Sequence, residues 1–369
     1  MGNLQAVSRM NIRKILANNH FWHLKKKSQV TFFTEKNNWS IRWDGIQLRE
    51  AISKINSHFR INLSNKPFFA NANIFHFGSQ FAWENWHGFL KDRGNIVVTF
   101  FHGKLGDSKE IDDNLAFLAE NQSTISRVII SFSEMRPRLE ALGISSEKII
   151  QIPIGVDLQI FNQSESKSDT QTLKDYFGIP AGFKIVGSFQ KDGEGWGSGD
   201  TPKMIKGPDL LWKTLQKINE NVPIFVILTG PARGYVKAKL NLHGIPFKHI
   251  YLHDYTKVSS LYKILDLYLV TSREEGGPKG LIESLASGCP VVTTPVGMAS
   301  DVLGKFGSNY IAKEFNPNEL ADLSMISLIS PYSVLDKFGL RELVDYCDWR
   351  KVAQSHLDLV YKPIIESLK

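Results

Sequence analysis

Short apolar runs alternate with segments of helical periodicity along the chain. In the first half, runs typical of strands buried on both faces predict strands at 29–34, 73–77, 95–101, 128–133 and from 149 onward. In the second half, such runs predict strands at 184–188, 224–229, 249–252, 265–271 and 290–293. Helical segments are predicted at 46–55, 136–142, 259–264, 281–286 and 348–367. This alternation predicts an α/β protein with parallel sheets.

The length of the chain favours two domains. Its 369 residues exceed what one typical hydrophobic core encloses. A hydrophobic content of 42% with 22% charged residues is that of a soluble globular protein. The sequence has no apolar run long enough to span a membrane and no signal-peptide core near residue 1, so we expect a cytoplasmic protein. The two cysteines, Cys289 and Cys347, indicate neither a disulfide framework nor a metal cluster.

Positive charge is concentrated near the beginning of the sequence. The net charge is +7, whereas residues 1–60 alone hold eleven Lys or Arg against three acids, a balance of +8. The other residues are close to neutral, which argues against a nucleic-acid partner. Residues 1–27 form a basic extension that is either a solvated, frayed segment or an amphipathic helix on an anionic membrane surface. The same charge also suits a phosphate-bearing acceptor.

The segment 271–300 carries the most specific pattern in the sequence. An apolar strand ends, a loop rich in acids and glycines follows, and an amphipathic helix begins. This order places the loop at the carboxyl end of a strand, where ligands of open α/β sheets collect. The glycine loop, residues 276–280, has little side-chain bulk apart from Lys279, so its amides can approach a phosphate or a sugar hydroxyl. Glu275 and Glu283 flank this loop with eight-residue spacing.

These features resemble family 4 retaining glycosyltransferases of the GT-B fold. The matching segments are the E-x7-E pair with its S-G-C-P-V-V strand, P-I-G-V-D-L-Q-I-F at 153–161, Lys206-Gly207, His102-Gly103 after a V-V-T strand, and D-W-R-K-V-A at the last helix. The likeness is strong from 149 to 303 and at the last helix, and patchy before 149. It implies two Rossmann-like domains that face a cleft, with the last helix crossing back to the first domain.

The resemblance implies a role for each matching residue. Glu275 would contact the transferred sugar, Glu283 would hold the nucleotide ribose, and His102 would touch the sugar near the reacting carbon. The donor diphosphate would be clamped by Lys206 and Lys191, with Lys203 as the alternative to Lys191. The remaining donor-binding positions are Ser188, Gly276, Gly277, Pro278, Lys279, Gly280 and Leu281. The base would pack on Leu252, His253 and Tyr255. His76, at a strand end, fits a structural role and a role in the cleft equally well.

The resemblance also implies domain limits. Residues 1–165 would form the acceptor-side domain, 170–345 the nucleotide-sugar domain, and 346–369 the returning helix. The sequence departs from the family pattern in two places. No paired-glycine loop follows the first strand, and a glycine-rich insertion at 190–200 lengthens the loop before Lys206.

Several common motifs are missing from the sequence. No G-x-G-x-x-G follows a strand, which excludes a dinucleotide site, and no P-loop motif is present. The lack of G-x-S-x-G excludes a serine-hydrolase site. There is no D-x-D pair to chelate a divalent ion at a diphosphate, which favours lysines as the clamp and no metal. No cofactor is expected, since the nucleotide-diphosphate sugar is the donor substrate.

We therefore expect a retaining, metal-independent, hexosyl-type glycosyltransferase. It would transfer a sugar from a nucleotide-diphosphate sugar to a glycan or lipid-linked acceptor, as in bacterial-type polysaccharide or glycolipid synthesis, and would lie in the cytoplasm or peripherally on the inner membrane face. Two alternatives remain open. One is a GT-B nucleotide-sugar epimerase, and the other is a non-catalytic, membrane-peripheral binding protein.

Overall fold

The computed structural model describes residues 28–34, 40–67, 70–90, 95–163, 166–304, 310–329 and 337–368. The predicted basic extension at 1–27 lies outside these residues. Among the helices in the described ranges, none combines the length and apolar character that crossing a bilayer requires. The strands form two parallel sheets, one in each domain.

The first domain is built on a six-stranded parallel sheet with the order β2-β1-β3-β4-β5-β6. Its strands are β1 Ser28–Phe33, β2 Ile61–Ser64, β3 Ala72–Phe77, β4 Asn95–Phe100, β5 Ile125–Ile130 and β6 Ile149–Gln151. Its helices are α1 Ser40–Ile55, α2 Gln80–Leu90, α3 Lys109–Asn121 and α4 Met135–Ala141. Because the strands are parallel, all their carboxyl ends, and the loops that follow them, lie at one edge of the sheet.

The second domain is built on a five-stranded parallel sheet with the order β11-β10-β7-β8-β9. Its strands are β7 Lys184–Phe189, β8 Ile224–Thr229, β9 Phe247–His249, β10 Leu267–Val270 and β11 Val291–Thr293. Its helices are α5 Lys167–Phe177, α6 Pro208–Asn219, α7 Gly234–Leu242, α8 Val258–Tyr262, α9 Lys279–Ala286, α10 Ala299–Leu303 and α11 Pro317–Ile329. Strand β8 is buried along its whole length, as expected for a central strand covered by helices on both faces.

The end of the chain returns to the first domain. Helix α12 Lys337–Glu342 is followed by α13 Trp349–Ser355, a π-helical segment His356–Tyr361, and α14 Lys362–Glu366. One apolar core joins this stretch to β1, β3, β4 and β5 through Val30, Ile74, Val97, Ile129, Trp349, Val352, Leu357, Val360 and Tyr361. The predicted crossing of the last helix is thereby confirmed. The predicted domain limits at 165, 170 and 345 stay predictions.

Local sequence explains how the element that carries Lys206 is placed. Gly207 adopts a left-handed conformation with φ +61°, and a Cβ there would lie 1.7 Å from the carbonyl oxygen of Thr271. Only glycine permits this close approach of two backbones. Pro208 then opens α6 at the first helical position, where its missing N–H costs nothing. Lys206 is therefore held against the carboxyl end of β10.

Several elements differ from the sequence-based prediction, and β5, for example, is Ile125–Ile130 rather than 128–133. Strand β9 is Phe247–His249 rather than 249–252, because its partner β8 pairs with it only as far as Leu228 opposite His249, before the chain turns at Gly230. Strand β2 was not predicted, since it is a short edge strand with only its first residue buried. Helix α1 begins at residue 40 instead of 46.

Candidate active site

The glycine loop lies where the two domains meet. It connects β10 to α9 at the carboxyl edge of the second sheet and touches the loop that follows β4 in the first domain. A Cβ on Gly276 would lie 2.2 Å from the carbonyl oxygen of Phe101, and one on Gly277 would lie 2.4 Å from Ile154 Cδ1. Ser131 donates a hydrogen bond of 2.5 Å to the carbonyl oxygen of Gly276. The glycines thus allow this loop to pack directly on the first domain.

Glu275 forms the charged centre of this junction. Its Oε1 accepts hydrogen bonds from Lys206 Nζ and, at 2.9 Å, from Ser272 Oγ. Burial raises the pKa of the Glu275 carboxyl, but the charge and hydrogen bond of Lys206 outweigh burial, so the pKa lies below its ordinary value. Glu275 is therefore an ionised carboxylate, and Lys206 is its counter-ion.

His102 approaches this centre from the first domain. Burial lowers the pKa of its imidazole, with the charge of Glu275 acting in the opposite direction, so the ring is neutral at pH 7. Its Nδ1 is buried and has no hydrogen-bond partner among the described residues. A buried ring nitrogen without a partner suits contact with a polar substrate group.

Glu274 links the glycine loop to the His102 side of the junction. Its Oε1 accepts hydrogen bonds from the backbone N–H of Gly103 and from Arg138 Nη1, each at 3.3 Å. Both donors belong to the first domain. Burial raises the pKa of Glu274, and Arg138 opposes that shift. The acid beside Glu275 therefore joins the two domains.

Glu283 lies in a different electrostatic environment from Glu275. Burial, aided by the negative charge of Asp44, raises the pKa of Glu283 to about 8. Its Oε2 accepts a hydrogen bond of 2.9 Å from the hydroxyl of Tyr262. Asp44, on α1 of the first domain, forms a half-buried ion pair with Lys279 at the start of α9. The two acids of the E-x7-E pattern thus differ in protonation at neutral pH.

The glycine-rich insertion forms a structured finger at residues 193–202. Its two ends pair through an isolated bridge between Gly193 and Pro202. Its tip is anchored on the start of α7 by hydrogen bonds from the N–H of Gly234 to the carbonyl of Ser198, at 2.8 Å, and from the N–H of Tyr235 to the carbonyl of Gly199, at 2.9 Å. Close backbone contacts also explain Gly193 and Gly199, because a Cβ at these positions would lie 2.4 Å and 2.2 Å from the carbonyl oxygen of Ala232.

Lys191 and Ser188 lie next to this finger. The Lys191 ammonium is 4.8 Å from the ring centroid of Trp196, whose indole is more than half exposed. Ser188 is buried and accepts hydrogen bonds from the guanidinium of Arg233, which also forms a fully buried ion pair with Asp192 at 3.0 Å. Lys191 therefore contacts Trp196 and is not part of the cluster of Lys206 and Glu275. Ser188 binds the guanidinium of Arg233 at the base of the finger.

The loop assigned to the nucleotide base follows β9. Leu252 is half-buried, while His253 is exposed and its ring lies edge-on to Tyr251 at 5.3 Å. The ring of Tyr255 meets Trp43 of α1, with ring centroids 5.2 Å apart. Helix α1 thus contacts the second domain at both the base loop and Lys279.

Across the described ranges, no group of three or more His, Cys, Asp or Glu is arranged to hold a metal ion. Sequence reasoning missed several residues of the junction: Asp44, Gln80, Ser131, Ser272 and Glu274. Ser272 and Glu274 adjoin the recognised pattern and could have been found there. The other three lie on the first domain, where no motif marks them.

His76 is a core residue, since its two ring nitrogens lie 2.6 Å from the hydroxyl of Tyr361 and 2.8 Å from that of Thr99.

Comparisons with known proteins agree with this arrangement. Residues 199–334 match the family model described as Glycosyl transferases group 1. The structure is similar to a sucrose-phosphate synthase from Thermosynechococcus elongatus, with a TM-score of 0.73, 14% identity and coverage of 92% of this chain and 100% of that one. It is also similar to Anabaena HepE in complex with UDP-glucose, with a TM-score of 0.70, 16% identity and coverage of 92% and 99%.

A glycosyltransferase from Rickettsia africae gives a TM-score of 0.70 at 15% identity, covering 93% of this chain and 100% of that one. No curated protein sequence matches the chain. At these identities the structural likeness shows the fold alone, and membership of family 4 stays a prediction. The predicted resemblance to glycosyltransferases and the predicted fold are both confirmed: the chain has the GT-B fold, and residues 199–334 match the group 1 family model.

Proposed function

We propose that the protein is a retaining glycosyltransferase that uses a nucleotide-diphosphate sugar and needs no metal. The observation that carries the proposal is the cluster of Glu275, Lys206 and His102 at the domain junction, beside a glycine loop that packs directly on the first domain. An ammonium group can neutralise a diphosphate as a point charge. The donor would therefore occupy the second domain, with its diphosphate on Lys206, and Lys191, which lies against Trp196, would make a smaller contribution.

The ionised Glu275 would orient the hydroxyls of the transferred sugar. Amides of the glycine loop and the neutral His102 would surround the reacting carbon from opposite domains, which fixes polar groups where charge develops in the transition state. Retention requires that the leaving diphosphate and the acceptor use the same face of the sugar. The leaving diphosphate would then accept the proton of the acceptor hydroxyl, so the proton moves as the new glycosidic bond forms.

Turnover assays test this proposal against its alternatives. Because Anabaena HepE binds UDP-glucose in its complex, UDP-glucose is the first donor to try. Transfer to a sugar acceptor with the donor anomer retained in the product supports the proposal. Isomerisation of the donor without acceptor would identify an epimerase, and nucleotide binding without turnover would identify a binding protein. Loss of activity in EDTA that added metal restores would contradict the metal-independent mechanism.

For the acceptor, we propose a glycan or lipid-linked molecule, reached by an enzyme that sits peripherally on an anionic membrane. The support is the +8 charge balance of residues 1–60. Co-sedimentation with vesicles that contain an anionic lipid compares the full chain with a variant lacking residues 1–27. We expect the truncated protein to bind less than the full chain, and the difference between the two proteins to be larger at low salt. Equal binding of the two proteins would rule out this role.

A further inference from the structure

The loop that carries His102 is fixed by one buried side chain of the neighbouring helix. Gln80 is the first residue of α2 and is only 1% exposed. Its Nε2 donates a hydrogen bond of 2.7 Å to the carbonyl oxygen of His102, and its Oε1 accepts one of 3.0 Å from the N–H of Phe101. Both ends of the amide are thus used by two consecutive residues of the loop.

These two bonds hold a backbone segment that has no strand partner for support. Strand β4 ends at Phe100, one residue before the segment begins. At neutral pH, a primary amide offers both the donor and the acceptor that these two backbone groups require. Without it, a part-buried N–H and a part-buried C=O would both lose the partners that they have here.

The same segment also contacts the glycine loop. The carbonyl of Phe101 is where a Cβ on Gly276 would collide, at 2.2 Å, so the two backbones are in direct contact. A rotation of the Phe101 peptide would therefore move both His102 and Gly276. Gln80 itself lies behind this segment and has contacts with the loop backbone rather than with Glu275 or Lys206.

We propose that Gln80 is a positioning residue for the transfer reaction, which sets His102 and Gly276 at the reacting carbon. This inference rests on the proposed glycosyltransferase function. Because the donor is held mainly by the second domain, loss of the Gln80 amide lowers kcat and leaves donor binding nearly unchanged.

Gln80→Glu tests the proposal with almost no change of volume. The ionised carboxylate of the variant has no proton to donate to the carbonyl of His102, so kcat at pH 8 is expected to fall at least tenfold. As the pH falls through the pKa of the introduced carboxyl, the protonated form regains a donor, and the ratio of variant to wild-type kcat rises. Asn85→Asp, an amide-to-acid change at an exposed position of the same helix, is the matched control and has unchanged kcat.

A second readout separates this inference from the function on which it rests. In full-length protein with 13C-labelled histidine, the ring signal of His102, assigned by its loss in His102→Gln, shifts in Gln80→Glu and stays in place in Asn85→Asp. Should wild-type protein show no transfer while this shift is present, the proposed function fails and the positioning role stands. An unmoved His102 signal in folded Gln80→Glu, or a kcat equal to that of wild type at pH 8, overturns the inference. Gln80→Leu, which removes both bonds without adding charge, gives the same kcat loss with no recovery at low pH.

Discussion

The two sides of the domain junction are assembled in different ways. On the second domain, Glu275, the glycine loop and Glu283 come from one continuous stretch of sequence, and Lys206 is held against the end of β10. On the first domain, the contributing side chains come from loops and helices that are distant in sequence: Asp44, Gln80, His102 and Ser131. A continuous segment leaves a motif, whereas a surface collected from separate elements does not.

The two acids of the second domain give the largest contrast. We expect Glu275→Ala to lower kcat by about 100-fold, because polar groups fixed at a reacting centre are worth roughly this much. Glu283→Ala is expected to raise KM for the donor more than it lowers kcat, since it removes binding that does not change during reaction. Steady-state kinetics of both variants, with exposed Glu220→Ala as control, measures the contrast. If both variants show the same pattern, or the product anomer is inverted, the assignment of roles is wrong.

The lysines provide the next comparison. Lys206→Ala should reduce kcat/KM at least tenfold, because a charge-assisted hydrogen bond is worth ~1.5–3 kcal/mol and Glu275 also loses its counter-ion. Lys191→Ala should have a smaller effect, since Lys191 lies against Trp196 and outside the Glu275 cluster. Lys213→Ala, at an exposed position of α6, serves as the control for loss of a nearby cation. Full activity of Lys206→Ala would contradict the diphosphate clamp.

A third prediction concerns the pH dependence of stability in the core shared by the first domain and the returning segment. Burial lowers the pKa of His356 to about 4 and that of His76 well below its ordinary value. Neutral imidazoles thus stabilise the fold above pH 6.5, and this stability is lost as the pH falls from about 6.5 toward 4. For His356 alone we expect a loss of about 2 kcal/mol between pH 8 and pH 5.

Urea unfolding followed by tryptophan fluorescence at several pH values measures this loss. His356→Gln should flatten the dependence, because it removes one of the buried rings whose pKa is lowered in the fold. The exposed His253→Gln should leave the dependence as it is. A His356→Gln protein with the full slope would show that another group is responsible.

The smallest expected effect is on nucleotide affinity, and it depends on Glu283 of the second domain and Asp44 of the first. Glu283, with its pKa of about 8, is mostly protonated at pH 7, while ribose hydroxyls donate best to a carboxylate. Nucleotide affinity should therefore rise as the pH increases through about 8, and binding should release protons. Because the charge of Asp44 contributes to the raised pKa, Asp44→Asn should move this rise to lower pH.

Calorimetry of nucleotide binding in two buffers of different ionisation enthalpy measures the protons released. Glu283→Gln should abolish the pH dependence. An Asp44→Asn protein whose binding rises at the same pH as wild type would show that the two carboxyls are not coupled. The fold of each variant is checked by its circular dichroism spectrum.

Much of the fold followed from the sequence because both sheets are fully parallel and their inner strands are buried on both faces. Strand β8 at Ile224–Thr229 matches its predicted limits for that reason. The short edge strand β2 has little apolar pattern and was missed. Asp44 and Gln80 could not be predicted as junction residues, because nothing in a helix periodicity tells which polar residue will face another domain.

The structure of the glycine-rich insertion also could not be predicted from the sequence. Its glycines indicated only a loop of unusual composition, yet Gly193 and Gly199 lie so close to the backbone of Ala232 that a Cβ at either position would collide with it. Such contacts depend on a segment after β8 that lies far away in the sequence. These contacts form only when β7 and β8 lie side by side in the sheet.

The return of the chain to the first domain has a consequence for synthesis. The core that covers β1, β3, β4 and β5 is completed by Trp349, Val352 and Tyr361. During translation, the apolar face of the first sheet therefore stays open while the whole second domain is being made. Uncovered apolar surface of this kind favours aggregation, so a nascent chain that stalls before residue 349 is a natural client for chaperones.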